Sequence, residues 1–346
     1  MDDSADQPSD TMEERAEEST QFLWLLLDAD RRVVAGVFSA VLFVAVVAAG
    51  VLHPTPAQTL LERGDPVETL YQALITGTIT GVTLVLTLSQ LLLSQELGAV
   101  GDQRDRMEGA MQFRDDVADA VGTTVSPAEP SAFLRSLVRA TGEQAADVRA
   151  AVDEDELDEE LADLLTRFLD SVTGNADAVT DALEGATFGE FDLLKAALNY
   201  NYSWKLYAAR RIREEHADAL PADVDEQLGD LAETLELFGP AREHFKTLYF
   251  QWELSNLSRT LLYVAVPALA VAIIAQVFFD PRDFAGVTAG AADSLWILAA
   301  TTTLSLAPFT ILLAYVLRIV TITKRTLSIG PFILRETDRS VDVDWD

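Results

Sequence analysis

Apolar residues are distributed along the chain in two distinct patterns. In four stretches they are nearly continuous: Val33 to Leu52, Leu70 to Gln95, Leu261 to Phe279 and Leu295 to Val320. About 20 apolar residues cross the hydrocarbon core of a bilayer as a helix, so each stretch is predicted to be a transmembrane helix. Between Leu97 and Ser258 the apolar residues instead recur at steps of three and four on an acidic background. Leu157, Leu161, Leu164, Phe168 and Val172 make one such stripe, and Val224, Leu228, Leu231, Leu235 and Phe238 make another. A helix with a single apolar stripe must bury it on a neighbour, and an antiparallel bundle does this most simply.

The segments "HPTPAQTLLERGDPVE" and "DPRDFAGVTAGAAD", which join the first and second pairs of spans, are short and rich in Pro, Gly and Asp. Each pair is therefore expected to form an antiparallel hairpin. The predicted fold is an all-α integral membrane protein with four transmembrane helices in two hairpins and a helical bundle inserted between spans 2 and 3. Residues 1–19 are polar and acidic without apolar period and are expected to be disordered. They also lack the basic start and apolar core of a signal peptide. Residues 20–96 hold a short interfacial segment, "QFLWLLLDADRR", and the first hairpin. Residues 97–258 hold the bundle, 259–322 the second hairpin, and 323–346 a C-terminal tail.

Within the bundle, "TVSPAEPS" and "ALPADVD" carry the signals of connections, with Ser131 or Asp223 as N-caps. After "FGP" at 238–240 nothing interrupts a helix before Pro267. One long helix from about Ala241 into the third span is expected, coupling bundle and spans rigidly. Pro267 and Pro308 should kink their helices and release the carbonyls of Tyr263 and Leu304.

Basic residues near the span ends give the orientation. Arg31, Arg32, Arg104, Arg106, Arg259, Arg318, Lys324 and Arg325 fall on one side, against Arg63 and Arg282 on the other. By the positive-inside rule both termini and the bundle are cytoplasmic, in the cell membrane.

Composition adds habitat. The 346 residues are 49% hydrophobic yet carry a formal net charge of −31, and only four of the 25 basic residues are Lys. An excess of carboxylates with scarce Lys matches the bias of salt-in halophiles, where a Debye length of about 3 Å at 1 M salt makes self-repulsion tolerable. No basic face exists to neutralise phosphates along a nucleic acid, so no nucleic-acid partner is expected. The chain has no Cys, which excludes disulfides, thiolate metal sites and cysteine nucleophiles.

Candidate chemistry is sparse. His53, His216 and His244 are the three histidines, and none has a partner at metal-ligand spacing, so no metal is expected. The acidic run "DEDELDEE" at 153–160 lacks the loop pattern of a calcium site and reads as a solvated helix start. No phosphate loop, nucleophile elbow or kinase set occurs, so no catalytic residue and no cofactor are assigned and the chain is not read as an enzyme. Tyr200, Trp204 and Tyr207 share a helix face, as core packing or as a partner surface. Phe245, Leu248, Tyr249 and Trp252 precede the third span, where an aromatic belt or a subunit neck fits.

The spans lack ionisable residues in their middle portions, unlike most proton-coupled carriers. Their polarity is concentrated elsewhere. In the second span Thr76, Thr80, Thr83, Thr87, Gln90 and Ser94 follow one another at steps of four and three, a stripe about five turns long. Beside it Ala73, Gly77 and Gly81 form a track that allows close helix approach. In the fourth span Thr301, Ser305, Pro308 and Tyr315 share a face. Two readings of the second-span stripe stand: helix packing, or the lining of a water-filled pore on the axis of an oligomer.

The layout of two spans, a helical insert and two spans resembles that of bestrophin-type channels and, more loosely, connexin-like large-pore proteins. The resemblance is of topology and assigns no residue a role. The functional expectation is a homo-oligomeric ion channel or small-solute pore of a salt-in halophile, lined by span 2, with the lipid bilayer as its surroundings. The alternative is a non-conducting scaffold or sensor whose helical domain binds a cytoplasmic protein partner.

Overall fold

The computed structural model describes residues 29–63, 65–152 and 157–326. The expectations for residues 1–19, for the interfacial segment up to residue 28 and for the tail from 327 onward lie outside the described residues. The chain is mostly helical, and its backbone clusters into two compact units. Among the described residues, one is built chiefly from 98–250, and the other from 29–97 with 251–321.

The helical unit contains α4 (Val100–Ala120), α5 (Pro130–Ala151), α6 (Glu159–Leu183), α7 (Phe191–Leu198), α8 (Tyr202–Glu215) and the first part of α9 (Ala222–Phe278). Its core forms where the apolar stripes meet. Leu161, Leu165, Phe168, Leu169, Val172, Ala176 and Val179 line one face of α6, and all are buried. They pack in one cluster with Leu134, Leu137 and Val138 of α5 and with Leu228, Leu231, Leu235 and Phe238 of α9. Each fully buried leucine contributes roughly 2 kcal/mol before the entropy of ordering it is subtracted.

Local chemistry fixes the helix ends. The N-cap of α5 is Glu129, not Ser131: its carboxylate accepts the backbone N–H of Ser131 and of Ala132. The reason is Pro130 at the first helical position, which moves the cap two residues upstream of the serine. The Ser131 hydroxyl donates to Glu129 at 2.6 Å, and this bond above all holds the Glu129 carboxyl below its ordinary range. At the start of α6 the Asp158 side chain accepts from Leu161 N–H, with Glu159 and Glu160 in the first turn. The break between α7 and α8 is held by Asn175, which donates to the Asn199 carbonyl at 3.0 Å and accepts from Asn201 N–H at 3.3 Å.

The long helix differs from its sequence expectation. It begins at Ala222, not near Ala241, and runs 57 residues through Gly239, Pro240 and Pro267 without interruption. A helical proline forfeits one hydrogen bond, but here Leu235, Phe238, Ala241 and Tyr249 are buried on one side of the same helix. That burial outweighs the lost bond. Asp223 accordingly lies inside the first turn.

The second unit contains α1 (Arg31–Leu52), α2 (Ala57–Leu61), α3 (Pro66–Glu96), the remainder of α9, α10 (Asp293–Ser305) and α11 (Ala307–Thr326). Three helices here, α1, α3 and α9, are long and apolar enough to cross a membrane, and α10 with α11 makes a fourth if the bent pair is one span. Val34, Ala35 and Phe38 of α1 pack on Ile311 and Ala314. Tyr71 and Val67 of α3 pack on Ala272 and Ala275 of α9, and Val85 packs on Leu257 and Leu261.

The fourth apolar stretch is two helices rather than one kinked helix. They meet at Leu306 with a bend of 49°. Pro308 is the second residue of α11, where the first turn needs no N–H partner, so the proline starts a helix instead of kinking one. Between α9 and α10 the chain makes a short 3₁₀ turn, Pro281–Phe284, and a two-stranded ribbon, β1 (Val287–Thr288) with β2 (Ala291–Ala292). The ribbon turns on Ala289 and Gly290, both with positive φ, 49° and 82°, the geometry that matches strand twist in a two-residue hairpin.

Candidate functional site

The polar stripe of α3 faces away from the rest of its unit. Thr76, Thr80, Thr83, Thr87, Gln90 and Ser94 are all exposed, while Tyr71 and Val85 on the opposite side of the helix are buried. The hydroxyls of Thr76, Thr83 and Thr87 donate to the carbonyls four residues earlier, at 2.9, 2.8 and 2.9 Å. Ser94 donates to Leu91 at 2.6 Å. Their donors are thus satisfied within the helix, and their lone pairs point outward. The small-residue track shares the outward aspect: Ala73 and Gly77 are exposed and Gly81 is half-buried. A Cβ added at Gly77 or Gly81 would meet nothing within 4 Å.

Hydroxyls lying off the second-span stripe form the contacts inside the unit. Tyr71 of α3 bonds Thr301 of α10, and Ser89 of α3 bonds Ser258 of α9. Ser39 of α1 and Thr310 of α11 lie 3.1 Å apart. The stripe therefore marks the outer face of α3, and the inner face is fastened by residues lying off it. The signal available in the sequence was Tyr71 and Ser89, polar groups out of step with the stripe. Near the bend at Leu306, the Thr302, Thr303 and Ser305 hydroxyls are buried without a hydrogen-bond partner among the described residues. Pro308 is buried there, whereas Pro267 is exposed on α9.

A second feature lies where the start of α1, the middle of α9 and α11 converge. A cavity of about 490 Å³ is lined by Arg31, Arg32, Trp252, Glu253, Asn256 and Arg259, with Asp30, Gly36, Ser39, Thr310 and Tyr315 among its other walls. Glu253 is 2% exposed and is ion-paired with Arg31. Arg31 also sits 5.9 Å from the centre of the Tyr315 ring. The Asp30 carboxylate caps α1 by accepting the Arg32 backbone N–H at 2.7 Å. Arg259 donates to the neutral amide oxygen of Asn256 at 3.0 Å.

The helical unit has its own cavity, of about 390 Å³ and mostly apolar, walled by Phe113, Pro127, Phe133, Pro240, His244 and Phe245 among others. Its aromatic series divides. Tyr200 is buried and Trp204 packs against the core, whereas Tyr207 is exposed. Two cations are fully buried among these rings: Lys205 lies 5.6 Å from the Tyr200 ring, and Arg242 lies 4.7 Å from that of Tyr202. At such distances the ring face attracts the charge. Among the described residues no cluster of three or more His, Asp or Glu has the makings of a metal site.

Fold and site together define a helical protein with several helices apolar enough to cross a membrane, a polar outward stripe on one of them, and a separate helical unit. The model of a family of unknown function, DUF7972, matches residues 1–346. The chain belongs to that family. No curated protein and no solved structure matches it.

Proposed function

We propose that the protein is a four-span membrane protein that assembles as a homo-oligomer and forms a pore for ions or small solutes, lined by α3. The observation that carries this reading is the outward stripe. A five-turn row of hydroxyls and an amide on the exposed face of an apolar helix needs a neighbour other than lipid, and none of the described residues covers it. The adjacent open track at Ala73, Gly77 and Gly81 gives a second subunit a place to approach closely. In this reading α10 and α11 make one bent span, the spans form two hairpins, and both termini and the helical unit are cytoplasmic. The Arg and Lys bias at the span ends supports that orientation. The acidic composition belongs to a salt-in cytoplasm.

Purified protein in planar bilayers is expected to conduct, and Thr83→Leu, which places a bulky apolar side chain on the stripe, to reduce the current. Absence of conductance over a range of salts and voltages overturns the proposal. The second reading, a non-conducting scaffold that recruits a cytoplasmic protein, is favoured by one observation, the apolar cavity of the helical unit. A stoichiometric partner recovered from the native host, with function intact after the stripe is replaced by Leu, selects it.

A further inference from the structure

The cavity at the head of α1 has no part in the pore reading. In a chain with a net charge of −31, it gathers three guanidinium groups, Arg31, Arg32 and Arg259, against two carboxylates, Asp30 and Glu253. Both carboxylates are engaged, Glu253 with Arg31 and Asp30 as the cap of α1. Arg32 and Arg259 are exposed into this space, and no carboxylate among the described residues forms an ion pair with either. The contact of Arg259 with the Asn256 oxygen turns that amide's NH₂ the other way, and the Thr260 hydroxyl lines the same wall. Two guanidinium forks with an amide and a hydroxyl beside them make a donor set matched to a phosphate group.

The rest of the cavity is uncharged and lined largely by small residues. Ala35, Gly36, Ala307 and Ile311 form its walls, and a Cβ on Gly36 would meet nothing within 4 Å. Ser39, two turns along α1, lies about 12 Å from the start of the helix at 1.5 Å per residue. The space is thus charged at one end and uncharged at the other, where small residues lie beside the Ser39 and Thr310 hydroxyls.

We propose that this cavity binds a phosphate anion, as free phosphate or as the headgroup of a phospholipid, through the guanidinium groups of Arg32 and Arg259. Arg31 is a positioning residue: pinned by Glu253, it closes one side of the cavity. The proposal is independent of conductance and stands or falls on binding alone.

The test uses the full-length protein in non-ionic detergent with three probes: inorganic phosphate, short-chain phosphatidylglycerol and the matching diacylglycerol, which lacks the phosphate. Phosphatidylglycerol is expected to bind, diacylglycerol not to bind, and Arg32→Gln and Arg259→Gln each to weaken binding about tenfold, the worth of one charge-assisted contact. Saturable binding of inorganic phosphate with the same dependence on both arginines assigns the free ion, and binding of the lipid without it assigns the headgroup. Both residues are exposed, and circular dichroism checks that the variants fold. Gly36→Leu fills the uncharged end without touching charge and should abolish lipid binding while leaving the arginines in place. Lipid and phosphate binding both absent, or binding unchanged in both arginine variants, overturns the proposal.

Discussion

At the scale of single residues, charge in this protein is either exposed and weakly coupled or buried and specifically held. The pairs Arg104–Glu108, Arg139–Glu143 and Arg211–Glu215 are exposed and four residues apart, the kind of contact worth at most about 0.5 kcal/mol and less in salt. Glu243 differs. Burial pushes its carboxyl up, but the Lys246 hydrogen bond and the Arg242 guanidinium, 2.8 Å away, outweigh it and bring the group below its ordinary value of 4.5. A depressed carboxyl stabilises the fold above the unfolded-state value and loses that contribution as pH falls through the folded-state value. The melting difference between wild type and Glu243→Gln should therefore be largest near neutral pH and shrink below about pH 4.5. A difference that grows on acidification contradicts the assignment. Caps show where residue-level reading stops. Ser131 has the right chemistry for an N-cap, yet the cap falls two residues earlier because Pro130 occupies the first helical position, and the longer Glu129 side chain reaches the N–H groups instead.

At the scale of elements, α9 shows two effects of opposite sign at one position. Gly239 lies inside the helix, and a Cβ there would come 2.9 Å from the Tyr202 hydroxyl and 3.0 Å from its ring. Ala in place of Gly gains about 1 kcal/mol of helix propensity, whereas forcing an atom into a packed site costs about 1–3 kcal/mol. Tyr202 is 6% exposed and its ring also meets that of Phe238, tilted, at 5.7 Å, so it has little room to retreat. Gly239→Ala is expected to lower the melting temperature, and Gly239→Ala with Tyr202→Leu to recover part of the loss. A rise in the single variant would show that propensity wins. The existence of the helices was legible, since long periodic or continuous apolar runs define them. Their ends were less so. "FGP" reads as a stop, and only the burial of Leu235, Phe238 and Ala241 on one continuous face carries the helix through it. Pro308 reads as a kink, but the chain breaks at Leu306 and uses the proline to start again.

At the scale of the whole molecule, the two units differ in what covers their apolar residues. In the helical unit the apolar stripes of α5, α6 and α9 converge on one core. In the other, Val41, Val44, Leu84, Val266 and Phe278 are 61, 62, 61, 69 and 75% exposed, an extent of apolar surface that water alone would penalise heavily and a bilayer would cover. The stripe of α3 interrupts this apolar surface. Its period was plain in the sequence, but period says that residues share a face and not which face is turned inward. Tyr71 and Ser89, with partners on α10 and α9, decided that. The arginine cavity was not legible at all. Arg32 and Arg259 are more than 200 residues apart, and near the span ends each counted only as an orientation signal.

The turn between β1 and β2 offers an experimental handle. Ala289 already holds its side chain at a positive φ on an exposed two-residue tip, so Ala289→Cys adds one sulfur atom and no new backbone demand. Because the chain contains no other cysteine, that thiol would be the sole target for a maleimide, with no background to subtract. A membrane-impermeant reagent should tag it in intact cells, whereas Glu143→Cys, at an exposed position of α5, should be tagged only after the cells are opened. The reverse pattern would invert the orientation, and the same single thiol could then carry a spectroscopic reporter to either face.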